Sequence, residues 1–381
     1  MAKQSINIGS SANDGTGSTL RAAFDICNDN FTELYGGTTS ALGFKSEGTN
    51  FSGSLLIGHS ITGTISSAEN NTGVGIGALD ALTTGDANVA IGNLAGSAIT
   101  EGGSNILIGR AAGDALTVGS NNVAVGHFAL SAEDGHGGNT AVGHNALQDQ
   151  NAGADVYSTA VGYQAGKSIS TGLNNTLVGA FAGDSITSGS FNVALGYFAL
   201  QAEDQHGRNV AIGWRALTNQ NAGADAYNVA IGYDSGKSVS TGTHNILLGG
   251  LAGDALTTGS ANIAIGYEAL STEDGHSQNV AIGYQALKML DAGAAGLNVA
   301  VGHQAGTAMT TGTNNVIVGG LAGDSLTTSG ANVAVGYQAL SFEDTTGGVT
   351  AIGYQALKTQ NTPSTSYNVA VGYQAGKEVT T

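Results

Sequence analysis

Asn279-Val280-Ala281-Ile282-Gly283-Tyr284-Gln285-Ala286-Leu287 is one copy of a phrase that recurs seventeen times between Asn88 and the C-terminus of this 381-residue chain. Marked by their glycine, the copies stand at Gly92, Gly109, Gly126, Gly143, Gly162 and onward to Gly372, and the steps run 17, 17, 17, 19 before repeating. Four units make a block of 70 residues. A period this short, kept this long, predicts a solenoid in which each copy is one coil.

Counted from the marker glycine, position −4 is Asn in 15 of 17 copies, with Ser158 and Val349 the exceptions. Position −3 is β-branched and −1 is Ile, Val or Leu. Between them lies Ala in most copies, but Leu107, Leu177, Leu247 and Ile317 in the second unit of each block. This alternation predicts a strand. The bulky face is expected to fill the coil, and the alanine face to meet another backbone or chain. Position +3 is Ala in 16 copies, and +4 cycles through Gly, Gly, Leu, Leu. Stretches such as Thr257-Thr258-Gly259-Ser260-Ala261 are rich in turn formers and lead back to the next Asn. The Asn column, with Asn88, Asn105, Asn122, Asn192, Asn262 and Asn332 among its members, is expected to form an amide ladder with a rise of roughly 4.8 Å.

With 62 glycines, one proline and 10% charged residues, the composition fits neither an ordinary enzyme nor a solvated disordered tail. The net charge of −17 disfavours nucleic acid and anionic membranes as partners, and keeps a long particle soluble. A single cysteine, Cys27, excludes an intrachain disulfide. The start, MAKQSINIGS, lacks the apolar stretch of a secretory signal, and no apolar run approaches the ~20 residues of a membrane span, so cytoplasmic synthesis without membrane insertion is expected. Coils of 17 residues enclose little core, which favours oligomerisation.

At the N-terminus, Ser18 or Thr19 is placed to cap a helix running to about Tyr35 and closed by Gly36-Gly37. Leu20, Phe24, Cys27, Phe31 and Leu34 form one apolar seam, suited either to a three-chain bundle or to docking on a neighbouring protein, with Cys27 in its core. Glu133-Asp134, Glu203-Asp204, Glu273-Asp274 and Glu343-Asp344 recur once per block, followed in three blocks by His136, His206 and His276. These are cation-ligand types, but Thr346 replaces the histidine in the fourth block. They read as solvated turns, with no metal or cofactor. One residue after the glycine runs a column of rings that includes Tyr163, Trp214, Tyr284 and Tyr354, expected to stack on one another or between chains, or to meet sugars of a host envelope. No unique acid–base pair or phosphate loop appears, so a non-enzyme is expected.

The Asn-Val-Ala-Ile-Gly unit resembles the head repeats of trimeric bacterial adhesins, whose chains wind as left-handed parallel β-rolls about a shared axis. The longer form here, continuing Gly-Tyr-Gln-Ala-Leu, resembles repeat tracts of tailed-phage fibre proteins. Lys3-Gln4-Ser5-Ile6-Asn7-Ile8-Gly9, Asn13-Asp14-Gly15-Thr16-Gly17 and Asn30-Phe31-Thr32-Glu33-Leu34-Tyr35 resemble a short module that opens many structural proteins of tailed phages. The resemblance implies an all-β, left-handed parallel β-solenoid that is homotrimeric. It divides into an attachment module with one helix (1–37), a neck or degenerate first coil (38–70) and the repeats (71–381). The implied role is a non-enzymatic virion fibre or spike, bound to other virion proteins at its N-terminal end and to a host glycan or receptor elsewhere. The alternative is the passenger head of a bacterial surface adhesin, disfavoured by the missing signal sequence and membrane barrel. An ice- or calcium-binding array would need flat threonine rows or a ligand motif in every coil. The last residues, Lys377 to Thr381, stop midway through a coil, so any receptor-binding tip is expected outside this sequence.

Overall fold

The computed structural model describes residues 44–48, 51–57 and 66–380, except 204, 294, 343–346 and 362–365. The expected N-terminal helix and its seam, Leu20, Phe24, Cys27, Phe31 and Leu34, lie outside the described residues, as does the first expected domain boundary. Among the described residues every regular element is a strand.

Each copy of the phrase contributes three extended residues, at positions −3 to −1. Three residues alone cannot hold a strand, so the ladder between coils supplies the stability. The chain divides after Asn139 into two compact units. In the first, β1 (Phe44–Gly48) and β2 (Phe51–Ile57) pair antiparallel, and β2 then opens a parallel, in-register ladder through β3 (Thr72–Val74), β4 (Val89–Ile91), β5 (Ile106–Ile108) and β6 (Val123–Val125). The second unit carries fourteen such strands, from β7 (Thr140–Val142) to β20 (Val369–Val371), one per coil. Their register is strict: Val193 faces Val210, Ala194 faces Ala211 and Leu195 faces Ile212. Both units are therefore parallel β-solenoids.

Hydrogen bonds between coils continue past the strands. Val89 N donates to Asn105 O at 2.8 Å, Gly92 N to Val74 O at 2.8 Å and Leu94 N to Ile76 O at 2.9 Å, so one coil is tied to the layers on both sides. The marker glycine turns the chain at the end of each strand with φ between +129° and +145°. A Cβ on Gly92 would stand 2.4 Å from Gly109 O. Conformation and closeness of approach both demand glycine here.

The two faces of the strand are the reverse of the expectation. Ala90 and Leu107 are fully buried, whereas the bulky Ile91 and Ile106 flanking them are 40% and 42% exposed. Alternation separates two faces but does not say which is inside; the width of the coil decides that. A 17-residue coil is too narrow for two β-branched residues per strand, so the small position −2 points inward. The interior is completed by Ala at +3, by +4, and by +7, where Ile99 and Leu116 are fully buried.

The cycle at +4 is a volume exchange with −2. A Cβ on Gly236 would lie 2.6 Å from Leu247 Cδ1, and one on Gly253 would lie 2.8 Å from Leu247 Cδ2. One leucine at −2 thus fills the space that the +4 glycines leave in its own coil and in the preceding one. In the other two coils of a block, +4 is Leu and −2 returns to Ala, which keeps interior volume nearly constant.

Candidate functional site

Three columns of side chains run parallel to the ladder. The first is the Asn column. Asn88, Asn105, Asn122, Asn192, Asn262 and Asn332 are all fully buried. Asn105 shows how one amide joins several layers: its backbone N–H donates to Asn88 Oδ1 at 3.1 Å, and its Nδ2 donates to Asn88 Oδ1 at 3.0 Å and to Gly119 O at 2.9 Å. Its own Oδ1 accepts the backbone N–H of Asn122 at 2.9 Å. Ser158 keeps part of this chemistry, since its Oγ accepts the backbone N–H of Asn175 at 3.2 Å.

The second column contains the acidic turns, which depart from the solvated reading. Glu133, Glu203 and Glu273 are fully buried, at position +7, the place that Ile99 and Leu116 hold in other coils. Asp134 and Asp274 are exposed, while Asp204 and 343–346 lie outside the described residues. Turn geometry explains the burial, because Glu133 Oε1 accepts the backbone N–H of His136 at 3.0 Å. In the third block, His276 Nδ1 stands 2.6 Å from Glu273 Oε1 and 3.6 Å from Asp291 Oδ1. Asp291 comes from the next coil's longer loop, a neighbour that linear spacing does not reveal. Potential ligand atoms of Glu273, Asp274, His276 and Asp291 lie within 4.8 Å of one another. Glu273 Oε1 already serves the backbone N–H and imidazole of His276, so the cluster locks a turn.

Burial raises the Glu133 carboxyl above its ordinary value. It does the same to Asp114, Asp184, Asp254 and Asp324, one half-buried aspartate per block. A carboxyl with a raised folded pKa holds its proton more tightly folded than unfolded. Its contribution to stability is therefore full at low pH and is lost as pH rises through the folded value. Asp225 and Glu268 shift the opposite way, lowered first by hydrogen bonds from Arg208 and Lys288; Asp225 is exposed and its pair screened, whereas the Glu268 side chain is partly buried. The thermal midpoint, followed by circular dichroism, should rise as pH falls from 7 towards the ordinary Glu and Asp values of 4.5 and 3.8. Asp254→Asn should remove part of that rise, and a flat or falling midpoint would contradict the assignment.

The third column is the rings. Each side chain leaves its coil just after the marker glycine, so in-register pairing stacks the rings in successive layers. Trp214 and Tyr233 lie 4.8 Å apart and 8° from parallel, Tyr284 and His303 5.2 Å and 10°, and Tyr354 and Tyr373 5.2 Å and 8°. Tyr163 stacks on His144 at 5.3 Å and meets the edge of Phe181 at 5.3 Å. These rings are exposed to solvent, with Arg215 over Trp214 at 4.4 Å. Beside them, the apolar outer face of the strands is also open.

No helix among the described residues is long and apolar enough to cross a membrane. No family model, curated protein or solved structure matches the chain.

Proposed function

We propose that this protein is a non-enzymatic structural fibre or spike of a tailed phage, in which three copies pack along their strand faces as left-handed coils, with the N-terminal helical segment anchoring the assembly to other virion proteins. One observation carries the self-association: a parallel sheet with one apolar face left open. Parallel sheets are ordinarily covered on both faces. Here the coil interior covers one, while Ile231, Ile246, Val316 and Ile352 lie on the other and remain exposed. Of the two outward residues in each strand of the second unit, only Thr140, Thr159, Thr176 and Thr350 are not purely apolar. A continuous apolar strip of this kind marks an interface, and a partner with the same coil spacing can match it layer by layer. A second copy of the chain has that spacing. Its mechanical role is to hold attachment surfaces away from the particle on a stiff support.

Sedimentation equilibrium of the full chain tests the assembly. The expected mass is three times 37.6 kDa. Replacing Ile231 and Ile265 together by Lys should dissociate the particle while leaving the coils wound, because both side chains point outward. A monomer at micromolar concentration would refute the trimer. Immunogold labelling with antibody to residues 1–60 tests the location: gold at the fibre base on virions is expected, and gold confined to bacterial envelopes favours the adhesin.

A further inference from the structure

The ladder of the first unit begins with a reversal. β3 to β6 each lie parallel to the strand before them, but β1 runs antiparallel to β2, with Phe44 facing Ile57 and Ser46 facing Leu55. In other respects β2 is a full member of the solenoid. Its stretch Ser54-Leu55-Leu56-Ile57-Gly58 is the repeated phrase, with serine at −4 and leucine at −2. Ser54 Oγ accepts the backbone N–H of Asn71 at 2.7 Å, as Ser158 Oγ does for Asn175, and Leu56 is fully buried. β1 therefore holds the edge of β2 at which β4, β5 and β6 each meet a preceding coil.

In the second unit, β20 presents the opposite edge. Thr350 N donates to Asn368 O and Gly372 N to Ile352 O, both at 2.8 Å, and Val369 N–H and Val371 O continue these two series at the outer edge of β20. Val369 and Val371 are 72% and 66% exposed. Beside them lies a cavity of about 420 Å³, lined by Leu357, Ala370, Ala375, Gly376 and Val379 among others. The preceding blocks show what such a space receives. A Cβ on Gly96, Gly166, Gly236 or Gly306, each at +4 in the first coil of its block, would lie between 2.6 and 3.1 Å from Cδ1 of Leu107, Leu177, Leu247 or Ile317, at −2 of the following coil. Gly376 is the next glycine of that series, and its nearest side chains are Leu357, Val379 and Ala370, from the preceding coil and its own.

The space at Gly376 thus calls for a parallel strand with leucine or isoleucine at −2. Leu56 of β2 is such a residue, on a strand that opens a ladder. We propose that β1 is a guard strand: it covers an edge, β2, that fits the Gly376 coil of a second copy, and so keeps copies of this chain from joining head to tail. Without β1 on that edge, Leu56 of one copy enters beside Gly376 of the next, and the Ser54 carbonyl takes the Val369 N–H. A head-to-tail contact of this kind repeats without closing on itself, so its product is a filament. β1 prevents it because its own outer edge carries the alternating hydrogen-bond spacing of an antiparallel strand, whereas a coil needs the even, slanted spacing of a parallel one. This contact runs along the ladder and is separate from the lateral packing of strand faces proposed above.

Two experiments on the full-length chain test the guard and the fit. Lys45→Pro with Ser46→Pro removes two consecutive donors from β1 and breaks its pairing. Sedimentation of this variant should give masses that grow with concentration in multiples of the parent's, with filaments in negative-stain electron microscopy, and adding Gly376→Leu should return the parent's mass. Leucine is native at +4 with left-handed backbone at Leu130 and Leu200, where φ is +53° and +52°, so the coil at Gly376, with φ of +61°, accepts it. The second experiment needs no altered hairpin. A fluorescent peptide of residues 51–58 should bind the parent, and should bind at least about tenfold more weakly when the peptide carries Leu56→Ala or the chain carries Gly376→Leu. A peptide that ignores the parent, or binds either altered form equally well, overturns the fit. A proline variant that keeps both the parent's circular dichroism and the parent's mass overturns the guard, as do filaments that persist with Gly376→Leu.

Discussion

Replacing Gly266 by alanine should destabilise the second unit by roughly 3 kcal/mol or more, a large effect for one methyl group. Its φ of +134° lies in a region open essentially to glycine alone. The added Cβ would also press on backbone, at 2.4 Å from Gly283 O and 2.6 Å from Gly283 C. That backbone cannot retreat freely, because Gly283 N is bonded to Ile265 O at 2.7 Å and Gly266 N to Leu248 O at 2.7 Å. Gly135→Ala is the control. It has no left-handed φ and only Val118 Cγ2 near, at 3.8 Å, so its cost should stay within about 0.5 kcal/mol. Urea unfolding of the two variants measures the difference. Equal midpoints would mean that the glycine turn is not the constraint described here.

The second large effect is expected at Asn262. Its Oδ1 accepts the backbone N–H of Asn279 at 3.0 Å, its Nδ2 donates to His276 O at 2.9 Å, and its own N–H is taken by Asn245 Oδ1 at 2.9 Å. Leucine at this position leaves a buried backbone donor and a carbonyl without partners, at about 1–3 kcal/mol each. Asn262→Leu should therefore cost about 2–5 kcal/mol in chemical unfolding. Asn262→Ser should cost about half as much, because a hydroxyl can accept the next N–H as Ser158 does. If serine and leucine prove equally damaging, the acceptor role is wrong and only side-chain volume matters.

Much of this architecture could be read from the repeat, because every coil carries the same backbone instructions. The marker glycine, the strand before it and the turn segments occupy in the structure the places that their spacing suggests. Three things escaped. Which strand face is interior depends on the width of the coil, a property that emerges only after the coil closes. The sequence did contain a signal for it, since only residues sharing one enclosed volume need to trade size as positions −2 and +4 do. Glu133 and Glu273 looked like solvent residues because their type is charged. Their depth follows from a turn whose N–H groups need an acceptor, which composition does not show. Asp291 joins His276 through the pairing of neighbouring coils, so sequence distance hides it.

The turns also have a consequence for how such a chain winds. Outside the glycines, each coil repeats left-handed backbone at residues such as Leu251, Ala261 and Glu268, with φ near +55°. Left-handed conformations cost roughly 1–2 kcal/mol per residue for side chains bearing a Cβ. A lone coil has few internal bonds to offset that, whereas a coil laid on an existing one gains Leu251 N to Tyr233 O and its counterparts at once. Winding is therefore templated: the finished layer is the mould for the next, and growth proceeds as an advancing front rather than from scattered pieces.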